Sequence, residues 1–432
     1  MQVSVEKTSE LSRKMTVSLP DDVVQEKITE RLKSLARGVK VDGFRPGKAP
    51  QQVIKKLYGE RIRQEVAGDL IQTTLSKALQ EQDLKPAGYP QIELAEEVNG
   101  FKYIAEFEVY PEISLENVDQ LKIVRPTSSV QDADVDGMIL KLKEQRKTWQ
   151  VAERASQEHD LVTITFSGVS EGENFTDGKV ENYQIELGSK RMIPGFEDQL
   201  IGLNPGENKT FEISFPEQYG NEKLAGKLAQ FEVELVSIEE PVLPEIDDEF
   251  IKAYGIEDGS VDSFRQDVKE NMQRELERAL RGKLKNSLMD ALYENTKIQI
   301  PRVLVDQEVD SLVKPYIENA KKRKLKVEDL NLPLDSFEEQ AKRRVALGLI
   351  LGEIIRKNDI KLDADKVRST IEDLAKSYER PDDVVNWYYS DENRLADVQQ
   401  LVLEEQTVDW LLSKLSLTEE EFAFNDVLGK DA

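Results

Sequence analysis

The chain has 432 residues, of which 39% are hydrophobic and 33% charged, and this length predicts about two to four domains rather than a single core. It contains one His and no Cys, and the absence of Cys excludes disulfides, thiolate nucleophiles and Cys-ligated zinc. It also has no Walker-type loop, so no site for nucleotide hydrolysis is evident. The net charge is −25, but residues 27–63 alone carry +8 and leave −33 for the rest, which indicates one local anionic target.

Residues 1 to 112 have an α/β pattern. Alternating side chains predict strands at Gln2–Lys7 and Lys14–Leu19. Asp21 or Asp22 is placed to cap a helix that runs to about Arg37. The later predicted elements are two helices and two strands, at Gln51–Tyr58, Arg61–Gln82, Ile92–Ala95 and Phe101–Val109.

Residues 113–149 are predicted to be a connector with a linker helix, for which Asp132 is placed as the cap. The apolar side chains at helical spacing are Val135, Met138, Ile139, Leu142 and Trp149.

Residues 150–243 are predicted to form a compact β-rich domain, in which glycines and prolines separate short strands and one short helix follows Pro194. The lone His159 precedes the first strand and is typical of a solvated loop, so a Ser-His-Asp triad is not expected. The predicted strands are Leu161–Phe166, Tyr183–Leu187, Thr210–Phe215 and Gln230–Ile238.

Residues 244–432 are predicted to be helical throughout, with prolines as punctuation and the apolar segment Val345–Ile355 as the buried centre. One long helix has apolar residues every four positions, and such a stripe rotates by roughly 40° per step. Its two ends should therefore contact different neighbours, which favours an elongated body. The stripe consists of Phe264, Val268, Met272, Leu276, Leu280, Leu284, Leu288 and Leu292.

A loop rich in Gly and Pro reads Gly43-Phe44-Arg45-Pro46-Gly47-Lys48-Ala49-Pro50. An exposed Phe usually has a partner, and Arg can grip a carboxylate or phosphate, but a Phe folded back onto its own domain fits the residues equally well. The loop resembles the Gly-Phe-Arg-x-Gly-Lys-x-Pro signature of trigger factors. That resemblance implies docking beside the polypeptide tunnel exit, on a ribosomal protein and nearby rRNA. Phe44, Arg45 and Pro46 would form the tip and Lys48 would support it, although some members carry a basic residue at position 46.

The β-rich domain resembles FKBP-type prolyl isomerases along its full length, through segments such as Val162–Gly168 and Met192–Glu197. The resemblance implies a half-barrel of strands around a short helix. One departure is Phe175-Thr176, where many FKBPs have Phe-Asp and this chain has Asp177 one place later. The implied catalytic pocket is lined by Phe166, Phe175, Tyr183, Met192, Ile193, Phe196, Tyr219 and Phe231.

An apolar aromatic pocket suits prolyl isomerisation, because rotation about the imide breaks no bond and crosses a barrier of about 20 kcal/mol. The twisted imide loses its resonance and is favoured in a dry site, so no acid, base, metal or cofactor is expected. The Ile193 N–H and the Tyr219 hydroxyl are candidates to hold the substrate chain. The alternative is an ordinary aromatic core, to which Phe166 and Phe231 are the best suited, while Phe196 and Tyr219 lie at turns.

The segment Phe337–Glu353 resembles the trigger factor C-terminal core, a family in which this domain forms a cradle for unfolded and nascent polypeptides. Sequence does not separate client-binding residues from packing residues there, and packing is the simpler interpretation of each candidate. These candidates are Met272, Leu276, Val313, Tyr316 and Ile317.

The resemblance as a whole implies a multidomain α+β protein: an α/β ribosome-docking domain (1–112), a connector (113–149), an FKBP-like half-barrel (150–243) and an elongated all-α chaperone domain (244–432). We expect a cytoplasmic, ribosome-associated chaperone and isomerase with no cofactor, no membrane partner and weak self-dimerisation off the ribosome. The alternatives are a free soluble FKBP-type isomerase with helical dimerisation arms, and a non-catalytic scaffold that only grips apolar segments.

Overall fold

The structure is a computed structural model, and it divides into two compact units. One unit comprises Met1–Pro126 with Gly282–Glu420, and the other comprises Thr127–Arg281 with Glu421–Ala432. Among the described residues, no helix is long and apolar enough to cross a lipid bilayer. The residues described are 1–39, 44, 50–95, 100–116, 118–176, 178–221, 223–256, 260–323, 325, 332–376 and 378–429.

The N-terminal part is an antiparallel four-stranded sheet in the order β1-β2-β4-β3 with two helices. Alternation along β2 and β4 places Met15, Tyr103 and Ala105 in one buried layer, where Ala78 from the second helix joins them. The helices enclose a second apolar cluster between them. The bounds are β1 Gln2–Lys7, β2 Ser12–Pro20, α1 Asp21–Gly38, α2 Gln51–Glu81, β3 Gln91–Ala95 and β4 Gly100–Glu108.

Two details of this part differ from the sequence prediction. The two helices predicted after residue 50 are one 31-residue helix, α2, which runs through Gly59. A glycine costs about 1 kcal/mol inside a helix, and the continuous apolar face through Ile54, Ile62 and Val66 outweighs that cost. The cap of α1 is Pro20, so the predicted Asp21 is its first helical residue and acts on the helix dipole instead.

The connector contains two strands that the sequence prediction missed. Strand β5 (Lys122–Thr127) pairs with β12 (Ser416–Glu421), which also shows that residues 244–432 are not helical throughout. Helix α3 (Asp132–Gln145) begins after Gln131, whose backbone N–H donates to Asp134 Oδ2 at 2.8 Å, so Asp132 is not the cap. Trp149 lies in strand β6 (Thr148–Val151) and not on the helix.

The β-rich domain is a curled antiparallel sheet of six strands around one apolar core. The central strand is β11 (Leu228–Val242), which pairs with β10 (Asn208–Ser214), β7 (Leu161–Ser170) and β6. Strand β7 also pairs with the short β8 (Glu173–Asn174) and with β9 (Val180–Glu186). The short helix expected after Pro194 is a single 3₁₀ turn, Glu197–Gln199. His159 lies in a turn before β7, as predicted.

Three of the four prolines predicted to punctuate this region lie at helix starts. Pro301 and Pro333 precede helices and Pro381 begins one, but Pro315 lies inside α6. The bounds are α4 Asp248–Lys252, α5 Val261–Asn295, α6 Arg302–Lys322, α7 Leu334–Asn358, α8 Ala364–Ala375, α9 Pro381–Tyr389, α10 Glu392–Lys414 and α11 Phe424–Leu428.

The rotating stripe of α5 packs as the sequence predicts. Its first five members, Phe264 to Leu280, belong to one apolar cluster, and its last three, Leu284 to Leu292, belong to another. The second cluster also contains Ile350, Leu351 and Ile354 of α7, so the apolar segment of that helix is a core segment. It still keeps one exposed face, at Gly348 and Gly352.

Candidate functional site

The aromatic rings of the β-rich domain form one connected cluster. Register places Phe211, Phe231 and Gly168 in one row across β10, β11 and β7. The ring centroids of Phe196 and Phe231 lie 5.1 Å apart in an edge-on arrangement, and those of Phe196 and Phe166 lie 6.0 Å apart. Such contacts stabilise the fold by about 0.5–1.5 kcal/mol each beyond the effect of area burial. The buried rings of this cluster are called the aromatic floor below.

The rim of the cluster is accessible. Tyr183 is 43% exposed and its ring meets Phe166 edge-on at 5.8 Å, while Tyr219 is 38% exposed and packs on Phe215 at 4.7 Å. Met192 and Ile193 are half-buried against the same core. The rim therefore presents two hydroxyl-bearing rings and two half-buried apolar side chains around a buried aromatic base.

The eight predicted pocket residues thus come together, but they divide by depth. Phe166 and Phe231 are buried in the floor, and Phe196 is fully buried at 0% exposure. The position of Phe196 at a turn predicts a pocket residue more strongly than the positions of Phe166 and Phe231 do. The structure shows that the 3₁₀ turn points this ring inward, so Phe196 presents no surface to a ligand and acts as support.

Phe175 closes the gap that a glycine leaves. A Cβ atom on Gly168 would lie 2.2 Å from Phe175 Cζ, so the ring occupies the space above this glycine. The backbone N–H of Phe175 donates to the Gly168 carbonyl at 3.2 Å. Thr176 accepts from the Gly168 N–H at 3.2 Å. The neutral Thr176 therefore ties the loop to β7 at the position where many FKBPs carry Asp.

Ile193 retains an available donor. Its carbonyl accepts from the Phe196 N–H at 3.0 Å, but within the described residues its own N–H has no acceptor. An N–H at the edge of an apolar site is suited to hold a substrate carbonyl.

Glu197 is not among the residues that the sequence predicts for the site, yet it is buried at 7% exposure beside the cluster. Its carboxylate accepts from the backbone N–H groups of Gly188 at 2.8 Å and Arg191 at 2.9 Å, among others. Burial alone would raise the pKa of this carboxyl, but hydrogen bonds from Met192, Lys190 and Gly188 outweigh burial and hold the pKa below 4.5. The sequence shows only an acid directly after Phe196, a pattern that does not reveal the donors around it. Phe211 and Phe215 were also missed as members of the cluster.

Two other predicted sites have different outcomes. Phe44 is 40% exposed, whereas Arg45, Pro46 and Lys48 lie outside the described residues, as does Asp177. Of the five candidate client contacts, three are buried and belong to the apolar core. Ile317 is half-buried, and Tyr316 is 52% exposed. The buried ones are Met272 (3%), Leu276 (4%) and Val313 (9%). Exposed aromatics that the sequence analysis did not single out are Tyr378, Trp387 and Tyr389.

A curled antiparallel sheet around an aromatic core is the architecture of the FKBP-type prolyl isomerase class. Residues 152–236 match the family model described as FKBP-type peptidyl-prolyl cis-trans isomerase. Residues 1–142 match the model of bacterial trigger factor protein, and residues 260–413 match that of its C-terminus. The chain belongs to the bacterial trigger factor family.

Relatives support this assignment over the whole length. The trigger factor of Marinobacter nauticus is 42% identical over 430 residues, which covers 99% of this chain and 98% of that protein. The trigger factor of Pseudoalteromonas atlantica is 40% identical over 440 residues and all of both chains. A solved structure of the trigger factor chaperone matches with a TM-score of 0.52 at 17% identity. The match covers 96% of this chain and 99% of that one, whose description concerns promiscuous substrate recognition in folding and assembly. It shares the fold. The chain is a ribosome-associated chaperone with peptidyl-prolyl isomerase activity.

Proposed function

We propose that isomerisation takes place at the rim of the aromatic cluster, with the X-Pro bond held over Phe166, Phe175 and Phe231. The observation that carries this proposal is the combination of a packed aromatic floor with an accessible rim. The Ile193 N–H would hold the substrate carbonyl and the Tyr219 hydroxyl would hold the neighbouring chain. The imide itself would need no proton transfer.

The chemistry follows from the polarity of the site. A planar imide is charge-separated by resonance, and water stabilises that separation. An apolar site withdraws this stabilisation from the planar form but costs the twisted form less, so the barrier of about 20 kcal/mol falls. The half-buried Met192 would adapt to different residues before the proline, since its unbranched, long side chain repacks easily.

Single substitutions at the rim test this location. Tyr219→Ala and Tyr183→Ala should each lower kcat/KM on a proline-containing tetrapeptide while the chain stays folded, because both rings are more than a third exposed. The matched control is Tyr89→Ala, whose side chain is 95% exposed in the N-terminal part. Wild-type turnover in both rim variants would place the active site elsewhere.

We also propose that the loop with Phe44 docks at the tunnel exit, on a ribosomal protein and rRNA. The support is the 40% exposure of Phe44 together with the charge of +8 in residues 27–63. Replacing Phe44, Arg45 and Pro46 with Ala should abolish co-sedimentation with ribosomes and leave isomerase activity intact. Lys48 contributes charge, so binding should weaken as salt rises. A triple variant that still pellets with ribosomes would refute this docking site.

Nascent and unfolded chains are the proposed clients, and exposed aromatics of the helical part are the proposed contacts. Tyr316 (52%), Trp387 (52%) and Tyr389 (47%) offer apolar area outside the cores. Many weak contacts of this kind give fast release and little sequence preference. We place this action in the cytoplasm, with weak self-dimerisation off the ribosome, which sedimentation equilibrium would detect.

Chaperone action should not need the isomerase site. The proposed domains are 150–243 for the isomerase and 244–432 for the helical chaperone part. Deletion of Val151–Glu240 leaves Gln150 and Pro241 as ends, and these can be rejoined directly because their neighbours pair in register, Gln150 with Glu240 and Trp149 with Pro241. That deletion should retain most suppression of client aggregation in light scattering. Removal of Pro244–Ala432 should abolish most of it. Equal protection by the chain without the helical part would overturn this division and favour a free isomerase.

A further inference from the structure

Glu197 holds together a segment that forms one wall of the isomerase site. Its Oε2 accepts from Gly188 N at 2.8 Å and from Lys190 N at 3.0 Å. Its Oε1 accepts from Arg191 N at 2.9 Å, Met192 N at 3.1 Å and Ser189 Oγ at 3.3 Å. One carboxylate thus accepts from five donors of consecutive residues, more than its roughly four lone-pair sites, so some of these sites are shared.

The segment needs this support because its backbone is not held by a strand. Gly188 has a φ of 89° and Lys190 a φ of 57°, and the second value lies in the left-handed region that non-glycine residues rarely adopt. Converging N–H groups form a cradle that favours a negative charge. Without an anion these donors would be left unpaired in a partly buried place, at a cost for each of them.

The five hydrogen bonds that residues 188–192 donate to Glu197, here called the clamp, end directly before the proposed substrate contact. Met192 donates to Glu197, and Ile193, with its available N–H, is the next residue. At the other end, Glu197 follows Phe196, which is fixed in the aromatic floor. The carboxylate therefore sets the distance between the wall and the floor of the site.

We propose that Glu197 is the positioning residue of the isomerase: it touches no substrate but fixes Met192 and the Ile193 N–H over the aromatic cluster. This inference rests on the proposed location of the active site. An uncharged Gln is nearly the same shape, but its NH₂ group cannot accept, so about half of the clamp is lost.

The test measures isomerisation of a proline tetrapeptide by the full chain. Glu197→Gln should lower kcat/KM by roughly 10- to 100-fold, the size expected for displaced contacts, with the loss mainly in kcat. Amide NMR shifts should move at Met192 and Ile193 but not in β10. Glu197→Asp, which keeps the charge on a shorter arm, should recover part of the activity, and it replaces the Gln variant if that variant does not fold.

The matched control is Asp160→Asn. Asp160 is also buried, and within the described residues its carboxylate binds Arg154 and the Gln157 N–H but no donor of residues 188–192. Only its backbone carbonyl, which the substitution leaves in place, contacts the neighbouring Leu187 N–H. The Asp160→Asn variant should destabilise the same domain yet retain the wild-type kcat at temperatures below its melting temperature. Equal kcat losses in both variants would reduce Glu197 to a stability residue and refute the proposal.

The rim variants Tyr219→Ala and Tyr183→Ala distinguish failure of this proposal from failure of the proposed location of the active site. If Tyr219→Ala loses turnover while Glu197→Gln keeps it, the clamp is irrelevant to catalysis and the site stands. If Tyr219→Ala and Tyr183→Ala both keep turnover, the location of the site itself is wrong.

Discussion

Truncation of Phe196 should strongly destabilise the isomerase domain rather than simply inactivate it. The ring is 0% exposed and meets Phe231, Phe211 and Phe166 at 5.1, 5.4 and 6.0 Å. Replacing a buried Phe by Ala costs about 3–5 kcal/mol, because the transfer energy is lost and a cavity remains. A domain stability of about 5–15 kcal/mol leaves little margin after such a loss.

Hydrogen exchange followed by mass spectrometry measures this cost within one domain of the full chain. In Phe196→Ala, the slowest amides of β7 and β11 should exchange roughly 10²-fold faster or more, whereas peptides of α7 should not change. Phe196→Leu keeps most of the volume and should lose less than about 1.5–2 kcal/mol. Unchanged exchange in β7 and β11 with lost turnover would show that Phe196 lines the site instead of supporting it.

Further predictions concern single groups. Gly168→Ala should displace the Phe175 ring, whose Cζ lies 2.2 Å from the added Cβ, and lower kcat/KM several-fold in the tetrapeptide assay. The lowered pKa of Glu197 stabilises the domain above pH 4.5, and this contribution is lost as the pH falls through the lowered value. Thermal melts should therefore show the gap between wild type and Glu197→Gln closing in acid; a constant gap would contradict the ionised clamp. Gly348→Ala meets no atom within 4 Å in α7 and should stabilise the chain by about 0.5–1 kcal/mol in urea unfolding.

Much of the fold follows from the sequence because its signals are local. The strands at Gln2–Lys7 and around Phe166 alternate clearly, and the rotation of the α5 stripe correctly predicts two cores. Gly59 misled the prediction because tertiary packing outweighs a modest helix penalty. Strand β12 was missed because its pairing with β5 joins residues about 300 apart in sequence, which no local pattern reveals.

The site was predicted as a set of residues but not by depth. Sequence indicates which aromatic residues converge, whereas the direction of a ring after a turn depends on the packing around it, as Phe196 illustrates. Glu197 was missed because its role depends on five donors that only the folded loop brings together.

The most direct test of the proposed site is an amide NMR titration of the full, isotope-labelled chain with a proline tetrapeptide. The account predicts accelerated cis/trans exchange of the peptide together with shifts centred on Ile193, Tyr183 and Tyr219. Accelerated exchange with shifts confined to other parts of the chain would contradict the assignment of catalysis to the aromatic cluster.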